Sequence, residues 1–323
     1  MRLALRIVGW GALAVVGLLV VGWFALQRPD IPWAQLEARY ANAQSRFMDL
    51  PGGLRVHYRD QGRPDGPTLV LVHGFSASLH AWEPWVQRLG GQYRIITLDL
   101  PGHGLTRAPA DYQPSPDANA DLVDAVAERL HAGTYVIGGN SMGGGVAWDL
   151  ALRHPDHVRA LVLVDAAGFP LPRTGRERPI PIFAILANPV GRALIRNIDT
   201  RGLAENGLKA AYVDPKLVTP ALVDRYVLLS RAPGHRDLLL RGQSQPRRPV
   251  TAATFAAIHV PTLVMHGEKD ALIPFAAGQG FARAIPGARL IAYPGVGHVP
   301  MEQIPDRSAA DLDAFLKALP AKP

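Results

Sequence analysis

One serine stands in a setting that suits nucleophilic catalysis. Residues 135–137 form a short apolar run typical of a buried strand, residues 142–153 follow a helical pattern, and Ser141 lies in the turn between them. Gly139 and Gly143 flank this serine in a G-x-S-x-G pattern, because larger side chains would collide with the backbone of so tight a bend. The pattern predicts that the turn holds out Ser141 as a nucleophile.

A serine hydroxyl becomes a strong nucleophile only when a base removes its proton, and histidine commonly serves as that base. Among the eleven histidines, His298 has the most suitable position, because it follows the last strand pattern on the glycine-rich loop 294–297. His73 also ends a strand pattern but precedes Gly74, and His103 lies in the turn 99–104, which could place it near the site without making it the base. We therefore predict that His298 is the base.

An acidic side chain must orient the base and fix its tautomer. Asp270 comes shortly after the penultimate strand pattern and before His298, which completes the order Ser, Asp, His along the chain. Asp165 also ends a strand pattern and is the main alternative. We predict Asp270 as the orienting acid.

The same chemistry needs hydrogen-bond donors for a developing oxyanion. The backbone N–H of Met142 lies at the start of the helix that follows Ser141, where the helix dipole also favours negative charge. A second donor should come from the loop after His73, where Gly74 allows a close approach and the N–H of Phe75 is the candidate. The sequence thus predicts an oxyanion hole formed by Phe75 and Met142.

The elements that must position these residues alternate along the chain. Apolar runs typical of buried parallel strands occur at residues 69–72, 93–98, 135–137, 161–164, 262–265 and 290–293, with an alternating edge strand at 54–58. Helical patterns occur at about 79–89, 117–131, 142–153 and 306–318, the first after a possible N-cap at Ser78. This alternation predicts a doubly wound, mostly parallel α/β sheet, whose ligands bind at the carboxyl ends of the strands.

Residues 169–257 interrupt this alternation with helical patterns separated by many prolines. The interval 171–250 contains 14 Lys and Arg against six Asp and Glu, and it accounts for the formal net charge of +7. We predict a helical lid inserted over the strand ends. Its apolar stretches 180–186 and 226–229 fit either an acyl pocket or helix packing onto the core, and its arginines fit either an anionic ligand or a solvated surface.

The N-terminus carries an uncharged run of twenty residues, 7–26, with tryptophans near both ends. That length suits a bilayer core, so residues 1–28 are predicted to be an uncleaved membrane anchor rather than a cleaved secretory signal. Residues 29–49 are a predicted stem with apolar side chains at roughly helical spacing. Arginines before the span favour a cytoplasmic N-terminus and a catalytic domain on the exported side.

Composition excludes several classes of protein. The chain has no cysteine, which rules out disulfides, thiolate metal sites and a cysteine nucleophile. Its basic residues occur without a zinc-finger, helix-turn-helix or RNA-binding signature, so nucleic acid is not expected as a partner. The sequence gives no evidence on oligomeric state.

Taken in order, five motifs resemble those of the α/β-hydrolase superfamily over roughly residues 50–320. They are His73-Gly74-Phe75, residues 99–104 (Asp-Leu-Pro-Gly-His-Gly), residues 139–143 (Gly-Asn-Ser-Met-Gly), residues 267–270 (Gly-Glu-Lys-Asp) and Gly297-His298. The resemblance implies a Ser141, Asp270 and His298 triad, with an oxyanion hole from the Phe75 and Met142 amides. It also implies a core at 50–168 and 258–323, a lid at 169–257, and no metal or organic cofactor.

The resemblance implies a serine esterase or lipase that cleaves carboxylic esters of small molecules or lipids through an acyl-enzyme. Ser141 argues against the halide-displacing and epoxide-opening members, which carry an aspartate at this position. The segment around Ser141 is also similar to carbon-carbon bond hydrolases of the meta-cleavage type, although those usually carry tryptophan where this chain has Val299. An acyltransferase, a cofactor-free haloperoxidase and a non-catalytic binding protein remain alternatives, because the same fold serves each.

Overall fold

Eight strands form one sheet in the computed structural model, which describes residues 2–172, 188–242 and 249–320. The strands are β1 (Ser45–Leu50), β2 (Leu54–Gly62), β3 (Thr68–Val72), β4 (Arg94–Leu98), β5 (Tyr135–Asn140), β6 (Val158–Val164), β7 (Thr262–Gly267) and β8 (Arg289–Tyr293). Their order across the sheet is β1-β2-β4-β3-β5-β6-β7-β8. The pairs β1 with β2 and β2 with β4 are antiparallel, and all the other pairs are parallel. The prediction of a mostly parallel α/β sheet is therefore confirmed.

Helices connect the strands and cover both faces of the sheet. They are α1 (Arg2–Leu26), α2 (Trp33–Tyr40), α3 (Glu83–Leu89), α4 (Pro116–Arg129), α5 (Met142–Arg153), α6 (Pro189–Ile195), α7 (Arg201–Tyr212), α8 (Pro220–Ser230), α9 (His235–Gly242), α10 (Ala252–Phe255), α11 (Phe275–Ala284), α12 (Pro300–Gln303) and α13 (Pro305–Lys317). Short 3-10 turns occupy Pro51–Gly53, Leu79–Trp82 and Pro215–Leu217.

Strand β3 shows how the two faces are filled. All five of its residues are buried, as expected for a parallel strand covered on both sides. Val70 and Val72 pack with residues of α4 and α5 on one face. Leu69 and Leu71 pack on the other face with residues of α3 and α13. The active-site loops therefore extend from a sheet fixed by two separate apolar layers.

Three elements differ from their sequence patterns. The strand predicted at the sheet edge, 54–58, is part of β2, which lies between β1 and β4. The pattern at 79–89 is a 3-10 turn followed by the short helix α3, and the Ser78 side chain makes no capping hydrogen bond. Phe47, which we placed in a helical stem, lies on β1 and pairs with His57 of β2. The helical spacing is correct only for Trp33–Tyr40, because the following residues add an antiparallel strand to the sheet edge.

The first helix precedes this sheet. Its residues 2–26 are helical, as the apolar run suggested. A search of the residues that the structure describes finds no helix with the length and apolar character needed to cross a membrane. The predicted membrane anchor is not confirmed, and the exported location stays a prediction.

Among the described residues, five helices, α6 to α10, lie between β6 and β7, where the insertion was predicted. The apolar stretch 180–186 lies outside the described residues. The N-terminal segment pairs with these helices through its backbone: Arg28 donates its N–H to the carbonyl of Asn197, and Ile31 donates to the carbonyl of Arg231. An isolated antiparallel bridge joins Gln27 to Ile198.

Candidate active site

Ser141 occupies a strained turn between β5 and α5, with φ of 55° and ψ of −118°. An added Cβ at Gly139 would lie 2.1 Å from the carbonyl oxygen of Gly143. An added Cβ at Gly143 would lie 2.1 Å from the carbonyl oxygen of Val72. Both distances are far below van der Waals contact, so the glycines are needed for the reason that the sequence suggested: the bend leaves no room for side chains on either side of Ser141.

His298 and Asp270 meet at the ends of neighbouring strands. The Nδ1 atom of His298 lies 2.7 Å from Oδ2 of Asp270, and both side chains are buried. The other oxygen of Asp270 accepts the backbone N–H groups of Leu272 and Ile273 at 2.8 and 3.0 Å. Burial of the Asp270 carboxyl acts to raise its pKa, but the hydrogen bond and charge of His298, with these two N–H groups, lower the pKa below its usual value. Asp270 is thus held as a carboxylate beside the imidazole.

Ser141 and His298 line the same cavity, which has a volume of about 560 Å³. Its described wall is mostly apolar and comes from loops of the core and from helices α6 to α9, including Phe75, Ile195, Leu203, Leu208, Tyr226, Val227, Leu239, Leu240, Leu272 and Val299. Two residues of the predicted apolar stretch 226–229, Tyr226 and Val227, are in this wall. The volume suits a small organic ligand with an apolar portion.

The loop after β3 passes close to the serine turn. An added Cβ at Gly74 would lie 3.2 Å from the Cβ of Ser141, so glycine permits this approach. Phe75 follows on this loop, and Met142 is the first residue of α5. Within the described part of the chain, neither N–H group donates to another residue. The two predicted oxyanion donors are therefore available beside the cavity.

His73 and His103, the other two histidines near strand ends, form a buried group behind the loop. His73 donates from Nδ1 to the carbonyl of Gly74 and accepts the N–H of Leu100 at Nε2, an arrangement that requires a neutral ring. Burial lowers the pKa of His73 and lowers that of His103 well below its usual value. Their rings lie 5.0 Å apart. They support the loop rather than facing the serine.

Asp165, the alternative acid, is fully buried at the end of β6. Its Oδ1 accepts the N–H of Gly267 at 2.9 Å, and His298 is bonded to Asp270 instead. The sequence identified both carboxyls as candidates, and the structure brings both to one region. It also shows a relation that the sequence could not show, which is that the two carboxyls are neighbours.

The helices over the cavity bind directly to the loop that carries the histidine. The N–H of His298 donates to the carbonyl of Ala211 at the end of α7, with a distance of 2.7 Å. Arg225 of α8 forms an ion pair with Glu302 at 3.0 Å, and the Tyr212 hydroxyl donates to the same carboxylate. Sequence reasoning missed this group, since nothing in the sequence pairs residues 77 positions apart. The position of His298 therefore depends partly on these helices.

One group outside the cavity has ligand atoms spaced closely enough for a metal ion. Atoms of Asp124, His154 and His157 lie within 4.8 Å of one another. Asp124 already accepts the Tyr135 hydroxyl at 2.7 Å and pairs with Nδ1 of His157 at 2.8 Å. These contacts account for the close spacing of the three side chains, which form a cluster of hydrogen bonds and ion pairs.

Comparisons with known proteins identify the family to which this fold belongs. Residues 67–304 match the sequence model of the alpha/beta hydrolase fold. The chain is similar to 2-hydroxymuconate semialdehyde hydrolase of Pseudomonas sp. (strain CF600), with 30% identity over 77% of this chain and 86% of that protein. It is also similar to Lipase 1 of Psychrobacter immobilis, with 28% identity over 89% of each chain. A thermophilic esterase from Thermogutta terrifontis has a similar structure, with a TM-score of 0.71, 25% identity, and coverage of 86% of this chain and 99% of that one. The match over most of the chain shows that this protein belongs to the alpha/beta hydrolase fold family of hydrolases.

Proposed function

We propose that the protein is a serine hydrolase that cleaves carboxylic esters through an acyl-enzyme on Ser141. The observation that carries this proposal is a shared cavity. The strained Ser141 turn and the His298 imidazole line the same apolar space, and Asp270 binds the imidazole from behind. Such an arrangement suits acyl transfer, in which a base must reach the nucleophile while an acid fixes the tautomer of the base.

In this mechanism the Ser141 hydroxyl attacks the acyl carbon while Nε2 of His298 takes its proton. The Phe75 and Met142 N–H groups stabilise the oxyanion, and His298 then protonates the departing alcohol. Water, activated by the same imidazole, hydrolyses the acyl-enzyme. The chain's own groups are sufficient for each proton transfer.

The wall of the cavity favours esters with an apolar acyl group. We propose that α6 to α9 act as a lid and that α7 and α8 receive the acyl chain, because Leu203, Leu208 and Val227 line the space next to Ser141. The names of the lipase and esterase relatives indicate that those proteins act on esters. Small-molecule or lipid esters are thus the proposed substrates.

Labelling with a fluorophosphonate probe tests the nucleophile. Wild-type protein should label, and Ser141→Ala should not, with turnover of p-nitrophenyl esters reduced by roughly 10⁴-fold or more. Gly145→Ala on the same helix serves as a matched control, since its new methyl group meets only ordinary contacts. Labelling that persists in Ser141→Ala would show that another residue is the nucleophile.

A carbon-carbon bond hydrolase is the second candidate. It is favoured by the 30% identity to 2-hydroxymuconate semialdehyde hydrolase. Val299 lies beside His298 in the cavity wall where that class usually has tryptophan. Turnover of a vinylogous ring-fission diketone without turnover of simple esters would favour this candidate over an esterase.

A further inference from the structure

The carboxyl groups of Asp165 and Asp270 share one buried space. Each has an oxygen 3.6 Å from Nε2 of His266, and the three ligand atoms lie within 4.8 Å of one another. The His266 ring does not neutralise them: its Nε2–H donates to the carbonyl of Ile273 at 3.0 Å, and its Nδ1 is buried without a hydrogen-bond partner among the described residues, as expected for a neutral ring. Among the described residues, neither carboxyl has a Lys or Arg partner within ion-pair distance. Two adjacent negative charges without a cation would repel strongly in a buried site.

The hydrogen bonds stabilise a negative charge on Asp270 more than on Asp165. Asp270 accepts three N–H groups, from Leu272, Ile273 and His298, and these stabilise its charge. Asp165 accepts one, from Gly267, and its Oδ2 is buried with no N–H or O–H donor among the described residues. A carboxyl oxygen in that position can instead donate, if it carries the proton.

Asp165 is also held in an unusual backbone conformation. Its φ is +45°, in the left-handed region that non-glycine residues rarely adopt. Such strain persists only where the surrounding structure maintains it, and it often marks a functional site. Here the strained residue ends β6 and aims its side chain at the loop that carries the acid of the proposed triad.

We propose that Asp165 is a positioning residue: it carries a proton at neutral pH, donates a hydrogen bond to the Asp270 carboxylate, and so holds that carboxylate in place for His298. The inference rests on the proposed function, since it assigns a role within that active site. The acid of the proposed triad is then a pair of carboxyl groups that share one proton, rather than a single aspartate.

The surrounding charges agree with this assignment. Burial, followed by the charge of Asp270, raises the pKa of Asp165 well above its usual value. The other titratable groups around the pair are His266, His298 and Tyr293. Burial lowers the pKa of His266, which keeps that ring neutral, and raises the pKa of Tyr293, whose hydroxyl donates to Asp311. None of these groups adds a cation on the Asp165 side of the pair.

Two substitutions at Asp165 separate the protonated state from the ionised one. Asp165→Asn keeps a donor toward Asp270 and an acceptor for Gly267. The proposal expects kcat within about threefold of wild type and an acidic midpoint of the kcat/KM profile within about 0.3 pH unit. If Asp165 were ionised, Asn would remove a negative charge, and the midpoint would fall by roughly one unit. That result would overturn the proposal.

Asp165→Leu removes the donor and keeps the branched shape of the side chain. The Asp270 carboxylate then interacts more strongly with the imidazolium, so the acidic midpoint should rise, and kcat should fall about tenfold or more with KM nearly unchanged. Asp124→Asn, in a buried carboxylate remote from the cavity, should leave the midpoint unchanged. A Leu variant with the wild-type profile would show that Asp165 has no positioning role.

A measurement on the unsubstituted protein covers the case in which these variants do not fold. The infrared spectrum at neutral pH should contain the carbonyl stretch of a protonated carboxylic acid, and labelling aspartate with ¹³C should shift that band. Burial and the charge of Asp270 raise the pKa of Asp165, so its protonated carboxyl should contribute to this band. A spectrum without the band would refute the shared proton. It would do so whether or not Ser141 reacts with the fluorophosphonate, so the two proposals can fail separately.

Discussion

At the scale of single residues, the serine turn depends on space measured in fractions of an ångström. Gly143 packs against the backbone of Val72, and the next glycine but one, Gly145, faces open contacts of 3.6 Å or more. Both are in the first turn of α5, so the same substitution tests two environments on one helix.

We expect Gly143→Ala to destabilise the protein by about 3 kcal/mol and to abolish most ester turnover, since the backbone must move to admit the methyl group. Gly145→Ala should be neutral or stabilising by up to about 1 kcal/mol, because alanine favours helix. Urea unfolding and p-nitrophenyl ester turnover measure the two effects. Equal stability of the two variants would contradict the steric account of the turn.

The sequence predicts this part of the site well because its constraints are local. Gly139, Ser141 and Gly143 lie within five positions, and the clash that excludes a side chain at Gly139 acts within the turn itself, although the clash at Gly143 is with the backbone of Val72. The choice between Asp165 and Asp270 is different, since it depends on which carboxyl reaches His298 across a sheet. Their mutual contact joins residues about a hundred positions apart, and no spacing rule reveals it.

At the scale of elements, helix α7 presents one face to the cavity. Leu203, Ala204, Gly207, Leu208 and Ala211 line it at helical spacing, whereas Gly202 does not. An added Cβ at either glycine meets no atom within 4 Å, so the backbone admits a side chain at both positions. The pair isolates the effect of filling the cavity.

We expect Gly207→Leu to lower kcat/KM for p-nitrophenyl octanoate by about tenfold or more while leaving the acetate ester within about threefold, because the new side chain occupies space needed by a longer acyl group. Gly202→Leu should leave the ratio of the two esters unchanged. Both variants should gain some helix stability over glycine. An unchanged chain-length preference in Gly207→Leu would place the acyl group elsewhere.

Several strands of the sheet were predictable because their burial leaves a clear apolar pattern in the sequence. Strands β3, β5 and β7 are buried along their whole length, so each reads as a continuous apolar run. Strand β1 was not found, because it lies at the sheet edge and has one fully buried residue, Leu50. Strand β1 is held in an extended conformation by its pairing with β2, which its own sequence pattern does not indicate.

At the scale of the whole molecule, several buried imidazoles link stability to pH. Burial lowers the pKa of His73, His103 and His266, and lowers the pKa of His80 to about 4. The unfolded chain binds protons at these positions once the pH falls below about 6.5, whereas the folded chain does not. Each neutral ring therefore costs stability as the pH falls, by about 1.4 kcal/mol per unit at most.

We expect urea unfolding at pH 5.0 to occur at a lower midpoint than at pH 7.5. The raised pKa values of the Asp165 and Glu302 carboxyls act in the opposite direction, because the folded state then binds protons that the unfolded state does not. The net loss should be smaller than the four histidines alone would give. His80→Gln should narrow the difference between the unfolding midpoints at the two pH values, and an unchanged difference in this variant would show that the His80 ring does not contribute to it.

Backbone and side-chain bonds join residues 27–31 to the helices over the cavity. This joint is therefore a segment of fixed length and not a free linker. Arg28 and Asp199 are joined twice, by an ion pair at 2.9 Å and by the bridge of their neighbours Gln27 and Ile198. The buried Arg236 closes the joint by donating to the Arg28 carbonyl and to Asp30. Adding or deleting one residue here would shift the register of all these bonds. The structure therefore fixes the number of residues between the first helix and the rest of the chain.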